Sequence, residues 1–466
     1  MRIGRVLQLA VCSGALLTEA ACLPVTAQSS ANTPAPSPAA SAAPASTAQA
    51  NAPEQAYSLP ADKLAKAIAL NRIRNILGIS GSIWGLVFLW LLLAARGWAG
   101  LERWAQRISS RRWIQGIVFF AAFFVISELA GLPFDLLGQH YERAYGISVQ
   151  GWGSWIGDQG KGLALALVFG APVLLLFNRI VRRWPRRYWL GVWLVTLPIL
   201  AVAIFISPLI VPLFYKQEPL QKNHAALVAE LEKVVERTGT RIPPERMYLM
   251  KASEKSNGLN AFVAGFGATK RVVVWDTTAG RIPDDEVQFI FGHESGHYVL
   301  HHIRKEFLGD AVGLFFVYWA CAGFAAWLVR RYGARWGAVE PADSSSRSQP
   351  SAATPAPASR TGFVVLLFAI SIAGLLLEPA GNAFSRHFEH QADVYGQEAI
   401  HGIVPDPQKT AVAAFNALGE AWLEDPDPNP FIEFWLYSHP SVQHRANFAL
   451  HYDPWANGGR GEFFKN

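Results

Sequence analysis

Six apolar stretches, each close to the length needed to cross a bilayer, constrain this chain more than any other feature. They run over Leu77–Ala95, Ile114–Leu137, Gly162–Phe177, Trp189–Leu209, Leu308–Val329 and Phe363–Ala380. A helix needs about 20 predominantly apolar residues to span the hydrocarbon core, so the expected fold is mainly α, a polytopic membrane helical bundle. It has about six spans, or seven if the N-terminus stays in the membrane, with an inserted α+β domain. Composition agrees. Of 466 residues, 51% are hydrophobic and 16% charged, against roughly a quarter charged in soluble domains. The net charge of +6 is no footprint of nucleic acid, because its arginines crowd into short connections between apolar stretches. Three cysteines, Cys12, Cys22 and Cys321, provide neither a disulfide framework nor a thiolate metal site.

Arg2 and Arg5 precede an apolar stretch from Val6 to Leu17, and Val25-Thr26-Ala27 follows as a small-residue cleavage site. That order reads as a secretory signal peptide over residues 1–27. An uncleaved anchor is the other reading, since Gln8 and Glu19 interrupt the apolar run. Residues 28–73 read as a disordered tether, because the Ala, Pro, Ser and Thr of 28–55 cannot bury enough surface to offset chain entropy. Four spans then occupy 74–214 and a polar domain 215–306. Two further spans fill 307–381, with a low-complexity loop at 331–360, and a polar helical segment follows at 382–466.

Fifteen arginines fall in the connections after spans one, three and five, five in each. The connection after span two holds Arg143 and Lys161, balanced by Glu142 and Asp158. By the positive-inside rule the Arg-rich connections face the cytoplasm. The polar domain and the C-terminus then lie outside, in agreement with an exported N-terminus, although Lys63, Lys66, Arg72 and Arg74 before span one pull the other way. A bacterial-type inner membrane with the polar domain outside the cytoplasm is the expected location. Glu128 and Asp310, inside spans, are expected to face protein or a wet cavity rather than lipid.

Within 215–306 the pattern changes. Residues 222–238 read as an amphipathic helix. Met247–Met250, Ala261–Ala264 and Arg271–Trp275 read as short strands, the last two joined by a Gly-rich turn. The strand at Asn260, Ala261 and Phe262 offers a free edge on which an extended polypeptide can pair. Ile282-Pro283-Asp284-Asp285-Glu286 then opens a helix, with acids at its positive end.

That helix carries His293-Glu294-Ser295-Gly296-His297. Imidazoles four apart share a helix face and can bind one zinc ion per chain, and the adjacent Glu294 can take the proton of a metal-bound water. The flanking Phe289, Ile290, Phe291, Val299 and Leu300 bury the helix, and buried His and Glu need partners. A catalytic zinc also needs a third protein ligand and an open position. Glu389 is the candidate third ligand, in Ser385-Arg386-His387-Phe388-Glu389-His390-Gln391-Ala392-Asp393. Asp393, one turn on, can hydrogen-bond a ligand imidazole, and Arg386 lies on a neighbouring surface. The two motifs stand 92 residues apart, but spans five and six form a hairpin that returns the second to the first. His301, His302, His387 and His390 are read as surface or supporting residues.

With these motifs the chain resembles the type I CAAX prenyl endopeptidase family, integral-membrane gluzincin metalloproteases, over about residues 75–452. Further matches are Leu132-Pro133-Phe134, Tyr141-Glu142, Gly146, Asp158-Gln159, Lys161, Val211-Pro212-Leu213-Phe214 and Glu218-Pro219-Leu220. Asn260-Ala261-Phe262, Arg271 to Thr277, Ser438-His439-Pro440 and Arg445 complete the series. The resemblance implies zinc on His293, His297 and Glu389, with Glu294 as general base and His439 stabilising the oxyanion. It also implies that Arg445 pairs with a carboxylate of the site and that the helices enclose a water-filled chamber. Two features depart from the family: a signal-like segment replaces an N-terminal span, and Ser441 replaces the second proline of the His-Pro-Pro motif.

The expected activity is zinc-dependent endoproteolysis of exported or membrane-associated polypeptides, with the lipid bilayer as the other partner and oligomeric state left open. Two alternatives stand beside it. One is CAAX processing after a prenylated cysteine, which requires the site on the cytoplasmic side. The other is a catalytically silent membrane chaperone or scaffold, against which the intact Glu294 speaks.

Overall fold

The computed structural model describes residues 56–265, 269–339 and 357–465. The signal-like segment, the tether up to 55 and most of the low-complexity loop lie outside the described residues. The first half of the bundle is α1 (Ala61–Ala94), α2 (Gly97–Ile108), α3 (Arg112–Ala144), α4 (Trp152–Arg183, with a π turn at Ala166–Gly170) and α5 (Tyr188–Ile210). The polar domain follows as β1 (Gln217–Pro219), α6 (Ala225–Thr238), β2 (Met247–Met250), β3 (Ala261–Ala264), β4 (Arg271–Trp275) and α7 (Asp284–Val299). The chain then makes α8 (His302–Trp336) and α9 (Arg360–Ile400), and closes with α10 (Pro407–Trp422), α11 (Pro430–Leu436) and α12 (Val442–His451).

Six helices, α1, α3, α4, α5, α8 and α9, are long and apolar enough to cross a membrane, one for each apolar run in the sequence. Phe119, Phe120, Phe123, Phe124 and Phe363 pack at the centre of the bundle through edge-to-face ring pairs. Gly170 ends the π turn of α4 where a Cβ would stand 2.6 Å from the Phe124 ring, so no larger residue fits there.

The polar domain holds a four-stranded sheet in the order β1-β2-β4-β3. Central β4 is buried from Val272 to Trp275, runs parallel to β2 and pairs antiparallel with β3, Ala261 facing Val274 and Val263 facing Val272. The three strands read from the sequence appear with the same limits, and β3 is an edge strand.

Three boundaries differ from the sequence reading. The tether does not reach 73, because α1 begins at Ala61. Its first turns bury Ala67 and Leu70 in the polar-domain core beside Tyr57, and Arg74 grips Glu142 of α3 with contacts of 2.7 and 3.0 Å. These contacts lie far away in sequence, so local polarity gave no sign of them. Helix α8 continues to Trp336, past the expected loop start at 331. The segment from 382 is not a separate unit either, since α9 runs unbroken from the bundle to Ile400 and carries Glu389 and Asp393 on its last turns.

Helix α7 crosses α9 backbone against backbone. A Cβ on Gly396 would lie 2.8 Å from the His293 nitrogen, and one on Gly292 would lie 3.1 Å from the Gly396 carbonyl oxygen. Gly396→Ala should therefore separate the two helices at a cost on the order of 1–3 kcal/mol and weaken metal retention. Gly374→Ala, in the same helix with nothing within 4 Å of its Cβ position, should leave metal retention unchanged. Thermal unfolding with metal analysis of both variants checks this.

Candidate active site

Helix α7 starts with Asp284, Asp285 and Glu286 in its first turn, which suits the positive end of the helix dipole. Two turns later it presents His293 and His297 on one face. Their Nε2 atoms lie 3.1 Å apart. Glu389 reaches in from α9, with Oε2 3.4 Å from His293 Nε2 and Oε1 3.3 Å from His297 Nε2. Among the described residues these three form the one His/Cys/Asp/Glu group close enough to hold a metal ion. The separations suit a tetrahedral ion, whose donors about 2.0–2.1 Å from zinc stand roughly 3.3 Å from one another. Glu389 Oε2 is also buried without a hydrogen-bond partner, a costly state for a carboxylate oxygen that a cation would relieve. The residues present therefore fit a metal.

Each imidazole turns its Nδ1 away from this centre to a partner. His293 Nδ1 lies 2.9 Å from Asp393 Oδ1. Arg445 of α12 holds the same carboxylate with two contacts, Nη2 to Oδ1 at 2.6 Å and Nε to Oδ2 at 2.9 Å, and also stands 3.4 Å from Glu389. His297 Nδ1 lies 3.2 Å from Nδ1 of His302, whose Nε2 lies 3.1 Å from Gln391 Oε1. His302 is fully buried and stacks on Phe388. The tautomers that complete both chains put hydrogen on Nδ1 of each candidate ligand and leave Nε2 free to bind a metal.

Glu294 is half-buried, and burial pushes its carboxyl above the usual carboxylate range against the pull of His293 and His297. It accepts a hydrogen bond from the Val263 N–H on edge strand β3. His439, on the turn between α11 and α12, brings Nε2 to 3.2 Å from Glu389 Oε1 and Nδ1 to 2.9 Å from Ser438 Oγ. Ser441, at the departure from the family motif, caps α12 by accepting from His444 N–H. Asn260, Ala261 and Phe262 stand where β3 enters the sheet. The Asn260 main chain is already used, its N–H by Thr278 Oγ1 and its carbonyl by Trp275 and Thr278.

Arg386 faces the end of α11 rather than the metal ligands. Its guanidinium does not reach the carboxylates of the site but donates to the carbonyl oxygens of Glu433, Phe434 and Tyr437 at the end of α11. It thereby fixes the turn that bears His439. Sequence reading missed the particular place of His302. His301, with φ of 59°, ends the helix of the motif, so the four-residue helical rule stops there and His302 turns inward. His387 and His390 are exposed.

A bundle of apolar helices bearing a buried His-His-Glu centre, with an unligated Glu beside it, defines a membrane metalloprotease. A family profile described as peptidase family M48 matches residues 221–453. Another, described as the CAAX prenyl protease N-terminal region with five membrane helices, matches residues 45–216. The chain belongs to peptidase family M48. It is 30% identical to the uncharacterized metalloprotease YhfN of Bacillus subtilis over 83% of this chain and 85% of that protein. It is 29% identical to CAAX prenyl protease 1 of Saccharomyces cerevisiae over 44% and 45% of the two chains. The crystal structure of S. mikatae Ste24p shares the fold, with a TM-score of 0.71 and 22% identity over 84% of this chain and 90% of that one.

Two outcomes follow for metal binding. His302→Ala should weaken it about 10- to 100-fold, as loss of an orienting partner does; an unchanged affinity in a chelator competition would remove His302 from that role. Burial alone would lower the His293 value, but the neighbouring carboxylates of Asp393 and Glu389 outweigh it and raise it to about 10 in the metal-free protein. A metal must displace that proton, so affinity should rise with pH by about tenfold per unit between pH 6 and 9. A flat profile would contradict it.

Proposed function

We propose that this protein is a zinc endopeptidase that hydrolyses exported or membrane-associated polypeptides, with His293, His297 and Glu389 as ligands. The observation that carries the proposal is the meeting of these three side chains, from two helices, beside a carboxylate that is not among them. Zinc bound there would polarise the scissile carbonyl and make a bound water acidic near neutral pH. Glu294 is the residue that would take a proton from the attacking water and return it to the leaving amine. A carboxyl raised by burial is better matched to this task than an ordinary surface one. Asp393 orients His293 and is itself neutralised by Arg445. His439 donates to the oxyanion, a role supported by the nearness of its Nε2 to Glu389, 3.2 Å away. The free edge of β3, whose Val263 N–H already reaches Glu294, receives the substrate backbone as an added strand and brings it to the site without strong sequence demand.

Chelation should abolish peptide hydrolysis and zinc should restore it. Glu294→Gln should keep zinc and lose nearly all turnover, whereas His439→Ala should keep zinc and lose about 10²–10³ in kcat. Turnover above a few per cent in Glu294→Gln, roughly, would call for another base.

The arginine distribution and the signal-like N-terminus support a site that opens outside the cytoplasm of a bacterial inner membrane. CAAX processing is the second reading, favoured by the names of relatives such as CAAX prenyl protease 1. It needs the opposite orientation. Single cysteines at the exposed positions Glu245 and Ser110, in a chain with Cys12, Cys22 and Cys321 replaced, distinguish the two. A membrane-impermeant thiol reagent on intact cells should label position 245 and spare 110; the reverse pattern supports CAAX processing.

A further inference from the structure

At the end of the bundle remote from the metal site, the connections α1–α3, α4–α5 and α8–α9 meet. Arg96 Nε donates to the Arg335 carbonyl at 2.8 Å. Arg360, at the start of α9, is 5% exposed and donates through Nη2 to the Arg112 carbonyl and to Gln115 Oε1, each at 3.0 Å. From this end to Glu389 the helix runs 29 residues, about 43 Å.

Charge at this end is one-sided. Arg103, Arg107, Arg111, Arg183, Arg187 and Arg331 are among the exposed arginines, and none of the six forms an ion pair among the described residues. The only carboxylate in the described part of these connections is Glu102, and it is used internally. It accepts the N–H groups of Arg360 and Thr361 at 3.0 and 2.9 Å and the Thr361 hydroxyl at 2.7 Å, so that it caps α9. Among the described residues of these connections, none neutralises the positive charge of these arginines.

Helix α2 shows which partner this charge faces. One face is fixed to the bundle by Trp98, Ala99 and Ala105. On the rest of its surface Arg103 and Arg107, four apart, form one exposed strip, and Trp104 and Ile108, each 50% exposed, form the strip beside it. Trp113 and Trp184 continue the aromatic rim at 57% and 52% exposure. A soluble acidic partner would account for the arginines but not for bare Trp and Ile next to them at the ends of membrane-length helices. A bilayer interface accounts for both, because aromatic rings settle at headgroup depth and arginines pair with lipid phosphates.

We infer that this end of the bundle is a binding surface for anionic phospholipid headgroups, with α2 lying in the plane of the interface. Trp104 and Ile108 enter the acyl boundary, and Arg103, Arg107 and Arg111 hold the phosphates. Because Glu102 belongs to α2 and caps α9, headgroup contact also steadies the helix that carries Glu389. The inference rests on the membrane fold alone and is independent of the chemistry at His293.

The test uses the full chain in nanodiscs of phosphatidylcholine mixed with phosphatidylglycerol. Native mass spectrometry of the wild type extracted from an equimolar mixture should show several-fold enrichment of phosphatidylglycerol. Each arginine removed in the series Arg103→Gln, Arg107→Gln and Arg111→Gln should lower that preference by roughly two- to fivefold. The unfolding midpoint of the wild type should rise with the phosphatidylglycerol fraction, and the triple variant should lose most of the rise while matching the wild type in phosphatidylcholine alone. Equal retention of both lipids by the wild type would overturn the inference whether or not the variants fold. So would an undiminished preference in the triple variant.

Discussion

The site depends on the contact between α7 and α9, where Gly292 and Gly396 let two backbones touch. His293 and His297 come from one helix and Glu389 from the other, so the spacing of the helix axes fixes the spacing of the donor atoms. Side chains at the crossing would hold the helices apart by more than a metal's first shell tolerates. The bundle serves this contact in turn, since α8 and α9 are the hairpin that returns Glu389 to the end of α7 after the chain has left it.

Electrostatics explains why the crossing is stable and why it calls for a cation. Glu389 and Asp393 are both almost fully buried, at 2% exposure each, within one turn of each other. Arg445 engages both, yet Glu389 Oε2 keeps no hydrogen bond. Arg445 and the protonated His293 balance the two carboxylates in the metal-free protein, and a divalent ion would take the place of that proton beside Glu389. The partners on Nδ1 divide the work unequally. Asp393 gives His293 a charged partner, while His302 gives His297 a neutral one, although the two rings belong to one motif.

Much of this was legible in the sequence because it is local or periodic. Six apolar runs became six membrane-length helices, and the valine-rich strands kept their limits. The two motifs met because a helical hairpin lies between them. Asp393 met His293, and Arg445 found its carboxylates. What was illegible depends on long-range contact. The first turns of α1 look like part of a polar tether until the polar domain buries Ala67 and Leu70. Arg386 sits in the motif like a partner of the site, yet it reaches carbonyls some fifty residues later that no pattern announces. The inward turn of His302 follows from a left-handed residue at His301, which is neither Gly nor Asn and carries no sequence signal.

The central claim is that one ion is held by two imidazoles and one carboxylate contributed by crossing helices. X-ray absorption at the zinc edge of the loaded, full-length protein tests it most directly. The account predicts two imidazole nitrogens at about 2.0–2.1 Å, the remaining donors being oxygen, and no sulfur. A shell with three imidazoles, or an unchanged spectrum after Glu389→Ala, would contradict it.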